Sequence, residues 1–409
     1  MKEEHRGTLK MEQLAINGGK PAREKLLAYG SQWISDADIE EVVLVLKSDY
    51  LTQGPTIAEF ERSVAAVAGV EYAVAFCNGT AALHGACYAA GITEGDEVIT
   101  TPLTFAASSN CVLYVGGTPV FADVDPTTFL LDLNEVKKKL TSKTKAIIPV
   151  DFTGQPIDMR KFKAFAEKNG LVMIQDAAHS LGASFAGEPV GAVADMTMFS
   201  FHPVKPVTTG EGGVIVTNNP DYYRRLLLFR SHGITRDHQA YTNESEGPWY
   251  YEMQELGYNY RLTDLQAALG LSQMGRLGEF VQLRNNIAQT YSNLFEDLEN
   301  EGLIRRPLVH AEAISGWHLY ILHLQLDHLT AGRKEIFEAL RAENIGVNVH
   351  YIPVHLLPYY QRLGYEKGSL PLAEQLYECF ITLPLFPKMT EQDAKDVVNA
   401  VYKVLRAYR

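Results

Sequence analysis

The chain has 409 residues, 46% of them apolar and 21% charged, with a net charge of −12. That length favours one large domain with a smaller one, and the acidic balance argues against a nucleic-acid surface, so any phosphorylated ligand has to be gripped by local donors. No stretch approaches the roughly 18 apolar residues of a membrane span, and Cys77, Cys87, Cys111 and Cys379 form no CxxC pair, as expected of reduced thiols in a cytoplasmic protein.

In chain order, residues 1–26 read as a leader with its first ten residues flexible, then 27–275 as a large domain and 276–409 as a small one. Residues 36–47 and 55–68 carry amphipathic helical patterns. From about 70 to 218, short apolar runs alternate with helical stretches. Tyr72–Phe76, 96–101, 118–122, 146–150, 171–175, 196–201 and 213–217 read as strands, and 81–91 and 104–115 as helices. Runs apolar on both faces and separated by helices predict an α/β fold whose mostly parallel sheet is covered on both sides. Residues 220–232 and 263–297 read as helices, the second long enough to link two domains, and 237–258 as a loop around Gly247-Pro248. Residues 316–327, 333–344, 345–351 and 390–408 suggest a strand–helix–strand–helix unit with its own core.

In such sheets ligands bind beyond the carboxyl ends of the strands, and Asn78, Asp176 and His179 fall just past such ends. Asn78-Gly79-Thr80, between a strand and a helix, can present backbone N–H groups and a hydroxyl to an anion, and Ser200 can add a second hydroxyl. An ordinary turn capped by Thr80 uses the same residues. Lys205, between two strand-like runs and ahead of a glycine-rich turn, suits a Schiff base to pyridoxal 5′-phosphate (PLP), with Asp176 keeping the pyridine nitrogen protonated. Ala178 is small enough to lie under a planar ring, His179 brings an imidazole beside it, and Phe105 is placed to stack on it. Plainer uses stay open for each of these: a capping aspartate, a structural histidine, a core aromatic.

Together, Leu51-Thr-Gln-Gly-Pro55, Asn78-Gly-Thr-Ala-Ala-Leu-His84, Gln175-Asp-Ala-Ala-His179, Ser200-Phe-His-Pro-Val-Lys205, Thr209-Gly-Glu-Gly-Gly213 and Gly257-Tyr-Asn-Tyr-Arg-Leu-Thr-Asp264 resemble the DegT/DnrJ/EryC1/StrS family. These are PLP-dependent sugar aminotransferases of the aspartate aminotransferase fold (fold type I), and the resemblance runs from about residue 27 to the C-terminus. Within the family the chain is most similar to the C4 aminotransferases acting on UDP-4-keto-6-deoxy-2-acetamido-altrose in pseudaminic acid biosynthesis. Ser231-His-Gly-Ile-Thr-Arg236, Gly247-Pro-Trp-Tyr-Tyr251, Trp317-His-Leu-Tyr320 and His350-Tyr-Ile-Pro-Val-His355 carry that likeness. Asn78-Gly79-Thr80 departs from the Ala-Thr or Ser-Ala-Thr pattern of that subgroup.

The resemblance implies that Lys205 binds the coenzyme covalently, that Asp176 pairs with its pyridinium, and that Gly79, Thr80 and Ser200 hold its phosphate. It implies that Phe105 stacks on the ring beside Ala178 and His179, and that Asn259 reaches the phosphate from the second subunit of a homodimer. His350, Tyr351, Arg261 and Tyr320 are the implied sugar-side contacts. The implied reaction moves the amino group of L-glutamate to the C4 ketone of a UDP-4-keto-6-deoxy-N-acetylhexosamine. A C3 ketone, or a dTDP or GDP carrier, is left open; a PLP-dependent sugar dehydratase is disfavoured because such relatives replace the lysine, commonly with histidine.

Overall fold

The seven runs of Val, Ile, Phe and Ala between residues 72 and 217 become the strands of one sheet. In a computed structural model, which describes residues 13–409, they are β1 (Tyr72–Phe76), β2 (Glu97–Thr100), β3 (Thr118–Phe121), β4 (Thr144–Ile148), β5 (Val172–Asp176), β6 (Met196–Ser200) and β7 (Gly213–Thr217). Their order is β1-β7-β6-β5-β4-β2-β3. The pairs from β6 to β3 are parallel, while β7 runs antiparallel to β1 and β6. Both faces are covered, as two-sided apolar strands require. In β1, Val74 and Phe76 pack with α3 (Gly79–Ala89) and α7 (Pro220–Arg230). Ala73 and Ala75 point the other way, onto α2 (Pro55–Ala68) and α8 (Asp264–Met274).

Helix 263–297 of the sequence reading is two helices. α8 ends at Met274 and α9 runs Leu277–Leu294. Gly275 sits at the break, where its low helix propensity favours a change of direction, and Arg276 lies 4.5 Å over the Trp33 ring. Segment 237–258 is mostly irregular, with one short antiparallel pair, Ile234–Thr235 with Glu252–Met253. Glu252 organises it, accepting hydrogen bonds from Thr242 N at 2.7 Å, Asn243 N at 2.8 Å and Tyr250 Oη at 3.0 Å. These donors, Thr242 N foremost, pull its carboxyl down to about 2.

The C-terminal core packs around a three-stranded antiparallel sheet, Ile304–Arg305, Tyr320–Leu324 and Phe380–Leu383, with helices Arg333–Ala342 and Glu391–Ala407 against it. The third strand is thus not 345–351. That segment pairs with the sheet through one isolated bridge, where Asn348 and Thr382 exchange backbone hydrogen bonds of 3.1 and 2.8 Å. It then turns away, and Pro353 has no N–H to continue a ladder. Residues 13–26 of the expected leader also join this core. Leu14 is buried in it, and Ala15 N and Ala22 N donate to the Glu343 carboxylate at 2.9 and 2.8 Å. The ten residues read as flexible lie outside the described residues.

Candidate active site

β5 delivers Asp176 to its carboxyl end, where the side chain is buried. Ser108 Oγ, from α4 (Ala107–Tyr114), donates to Oδ2 at 2.6 Å, and the Ala178 N–H donates to Oδ1 at 3.1 Å. No arginine or lysine forms an ion pair with it among the described residues. Burial therefore pushes its carboxyl above the usual range, the two donors and Lys205 acting against that. A buried carboxyl without a counter-charge is costly, and it suits a site that receives a cationic ring nitrogen.

Lys205 lies in the loop after β6, its N–H bonded to His202 O at 2.9 Å. The residue is half-buried, but burial of the amine lowers it to about 7; Asp176 opposes that shift and Arg284 adds to it. About half of such amines are neutral at pH 7, against roughly one in 2,500 for an ordinary lysine. Nζ stands 3.3 Å from His318 Nε2. The His318 ring is 4.4 Å from that of His179, and the His179 Nε2 is 3.4 Å from the Tyr351 hydroxyl. His350 Nδ1 contacts Thr382 Oγ1 at 2.9 Å. Burial holds His179 and His318 well below the usual imidazole range and His350 at about 4, so all three are neutral near pH 7. Phe105, 62% exposed, leans over this group with its ring 6.2 Å from that of Tyr351.

The helix after β1 opens two residues earlier than the plain capped-turn reading requires. Asn78, not Thr80, is the cap, its Oδ1 accepting from Ala81 N at 2.8 Å. The Gly79 and Thr80 N–H groups and the Thr80 hydroxyl are thereby left for another acceptor. Ser200 borders the same spot, because a Cβ placed on Gly79 would lie 3.6 Å from its Oγ. Gly213 on β7 makes the arrangement possible: a Cβ there would strike Asn78 O and Gly79 Cα at 2.6 Å. An anion cradle after β1, an acid lacking its cation at the end of β5 and a half-neutral amine after β6 thus lie on the same side of the sheet, and they fit a phosphate-bearing pyridine aldehyde.

Other expected residues lie apart. Tyr320 is a correction: it is fully buried in the C-terminal core, stacked on Trp317 and 3.1 Å from Ser292 Oγ, with no surface toward the cleft. Trp317, with φ 42°, sits in the stretch ahead of that strand, and it is His318 from the same motif, not Tyr320, that meets Lys205. Asn259 is exposed and bridges to Ser231. Arg261 lines a separate cavity of about 260 Å³ with Arg230 and Gln53. The sequence reading missed Ser108 and Arg284, which stand in no recognisable pattern, and passed over His318 within a motif it had singled out.

The model of the DegT/DnrJ/EryC1/StrS aminotransferase family matches residues 32–402. The spore coat polysaccharide biosynthesis protein SpsC of Bacillus subtilis is 40% identical, over 94% of this chain and 98% of its own. Helicobacter pylori PseC, an aminotransferase involved in the biosynthesis of pseudoaminic acid, superimposes with a TM-score of 0.87 at 31% identity, covering 94% of this chain and 100% of its own. Spr1654 of Streptococcus pneumoniae, solved in a PLP-form, does so with a TM-score of 0.86 at 31% identity, over 93% and 99% of the two chains.

Proposed function

The chain belongs to the DegT/DnrJ/EryC1/StrS aminotransferase family and is a sugar aminotransferase; from that premise we propose that it moves the amino group of L-glutamate to the C4 ketone of a UDP-4-keto-6-deoxy-N-acetylhexosamine. The likeness to PseC, an aminotransferase involved in the biosynthesis of pseudoaminic acid, supports the sugar class, while the C4 position rests on the resemblance of the motifs. The coenzyme is pyridoxal 5′-phosphate, the form in which Spr1654 was solved. When bound it supplies an electron sink for a carbanion. Its protein side is a division of labour. Lys205 Nζ is the amine that carries the coenzyme and moves protons to and from the substrate carbon. Asp176 holds the proton on the ring nitrogen, and the Gly79 and Thr80 amides with the Thr80 and Ser200 hydroxyls take the phosphate. Ala178, His179 and Phe105 bracket the ring, while His350, Tyr351 and Arg261 serve the sugar nucleotide. We place the enzyme in the cytoplasm as a homodimer in which Asn259 completes the partner's phosphate site.

The observation that carries this reading is the convergence of the Lys205 amine with the buried, cation-free Asp176 carboxyl. The test of substrate is NMR of the amino-sugar products formed from a panel of nucleotide-linked 4-keto and 3-keto sugars with glutamate. A single 4-amino product from a UDP sugar is expected, and a 3-amino product or turnover only with a dTDP sugar would overturn the assignment. The test of the amine is Lys205→Ala, which should leave a folded protein without the coenzyme's visible absorption and with turnover reduced at least about a thousandfold. Retained turnover would remove Lys205 from the reaction.

A further inference from the structure

Arg284 is nearly fully buried in the middle of α9, and among the described residues no acid forms an ion pair with it. Burial alone lowers its guanidinium to about 9. A buried cation without a partner persists only if its hydrogen bonds are of use elsewhere in the fold. Its donors reach three segments. Nη1 donates to Trp317 O at 3.1 Å and Leu385 O at 3.0 Å, and Nη2 to Val204 O at 3.4 Å. Two of those carbonyls belong to the residues directly before His318 and Lys205, the pair whose side chains meet at 3.3 Å. The third anchors the fork in the C-terminal core, where Leu385 is buried.

We propose that Arg284 is a positioning residue for the reactive amine: by clasping the carbonyls that precede Lys205 and His318, it fixes the Nζ–Nε2 contact. The inference rests on the reading of Lys205 as the coenzyme-carrying amine. The guanidinium's rigid fork is what lets one side chain hold separate strands of backbone at once, which a lysine ammonium on a flexible stem does poorly. The opposite face of the Lys205–His318 pair is held as well. Gly316 N donates to Gly154 O at 2.9 Å and Leu319 N to Thr153 O at 3.0 Å. A Cβ on Gly154 would come within 2.9 Å of His318 N, so that loop lies flush against the histidine. Arg284 also acts through space. Of the charged groups that face the amine near pH 7, Asp176 favours its protonation and Arg284 disfavours it, while His179, His318 and His350 are neutral there.

Competitive acetylation of the full-length, coenzyme-free chain between pH 6 and 10, with mass spectrometry of the Lys205 peptide, reads the amine directly. Arg284→Met should move the half-labelling pH upward by about one unit, since a like charge beside the amine is lost. Tyr291→Phe, which removes a buried hydroxyl from the same helix, should leave the midpoint in place. Arg284→Lys, which keeps an amine at the site and loses the fork, should lower kcat of the loaded enzyme about tenfold at unchanged KM for the sugar. An unmoved midpoint in folded Arg284→Met, or an equal shift in Tyr291→Phe, overturns the proposal. Should Arg284→Met not fold, Arg284→Lys decides, because full kcat in that variant is equally fatal. The labelling needs no coenzyme, so a wild-type chain that takes up no pyridoxal phosphate would sink the functional reading and leave the Arg284 result standing.

Discussion

Lys205 and Asp176 were legible as types of residue at strand ends, but their states depend on what buries them. The depressed lysine has a consequence for stability. Its folded-state value, about 7, lies below the 10.5 of an ordinary lysine. The unfolded chain therefore binds the extra proton between those values, and stability of the coenzyme-free protein rises with pH across that window. Below about pH 7 the penalty is present in full. Lys205→Met should accordingly stabilise the coenzyme-free chain at pH 6, by roughly 4–5 kcal/mol at most, and much less at pH 9.5. Urea midpoints at the two pH values check this, and a gain independent of pH would contradict it. Gly213 shows the opposite case, a residue visible in a motif whose reason is invisible there. Only the fold reveals that its missing Cβ lets Asn78 and Gly79 pass at van der Waals contact. Gly213→Ala should weaken coenzyme binding at least about tenfold and cost about 1–3 kcal/mol of stability through overpacking, readable as coenzyme retention on dialysis and as the thermal midpoint. Ser108 was not legible at all, since a serine inside a helical pattern carries no sign of the carboxyl it meets across the sheet.

At the scale of elements, two motifs that looked separate in the sequence are halves of one clasp. Asp264 is fully buried, and its carboxylate accepts from Gly54 N at 2.8 Å and Thr56 N at 3.1 Å, capping α2 from the first residue of α8. Asp264 N returns a hydrogen bond to Leu51 O at 3.0 Å. The local cap of α8, Thr263 with Gln266, follows from spacing alone; the remote one cannot, because nothing local marks an acceptor 210 residues from its donor. Asp264→Ala leaves two partly buried N–H groups unmatched and should cost about 1–3 kcal/mol. A loss below about 0.5 kcal/mol in urea unfolding would show that water takes over the role. The strands of the main sheet were readable for a simple reason: residues apolar on both faces have only one place to go in an α/β protein. The C-terminal strand was misassigned because 345–351 and Phe380–Leu383 are both short and largely apolar, and the choice between them rests on the first turning away toward His179 after Asn348, with Pro353 beyond it.

The whole molecule was least legible, since a single sequence does not say which apolar surface a partner covers. Trp249 and Leu256 are each 71% exposed, with Tyr251 and Met253 beside them and Leu44, Leu46, Tyr50 and Leu51 likewise open. Exposed apolar groups clustered along a chain are what a contact surface leaves open on a monomer, and the exposed Asn259 lies on the stretch that carries Trp249 and Leu256. These features support the proposed homodimer and make a specific demand of it. If Asn259 serves the partner's phosphate site, an inactive Lys205→Ala chain still offers a good Asn259, and an inactive Asn259→Ala chain still offers a good Lys205. Unfolding and co-refolding the two in equal amounts gives heterodimers as half of the population, each with one complete site, so about a quarter of wild-type activity should return. If Asn259 instead acts within its own chain, every heterodimer site lacks one of the two residues and nothing returns. The activity of the mixture therefore separates a shared site from a self-contained one, and sedimentation of the same sample shows whether the heterodimers formed.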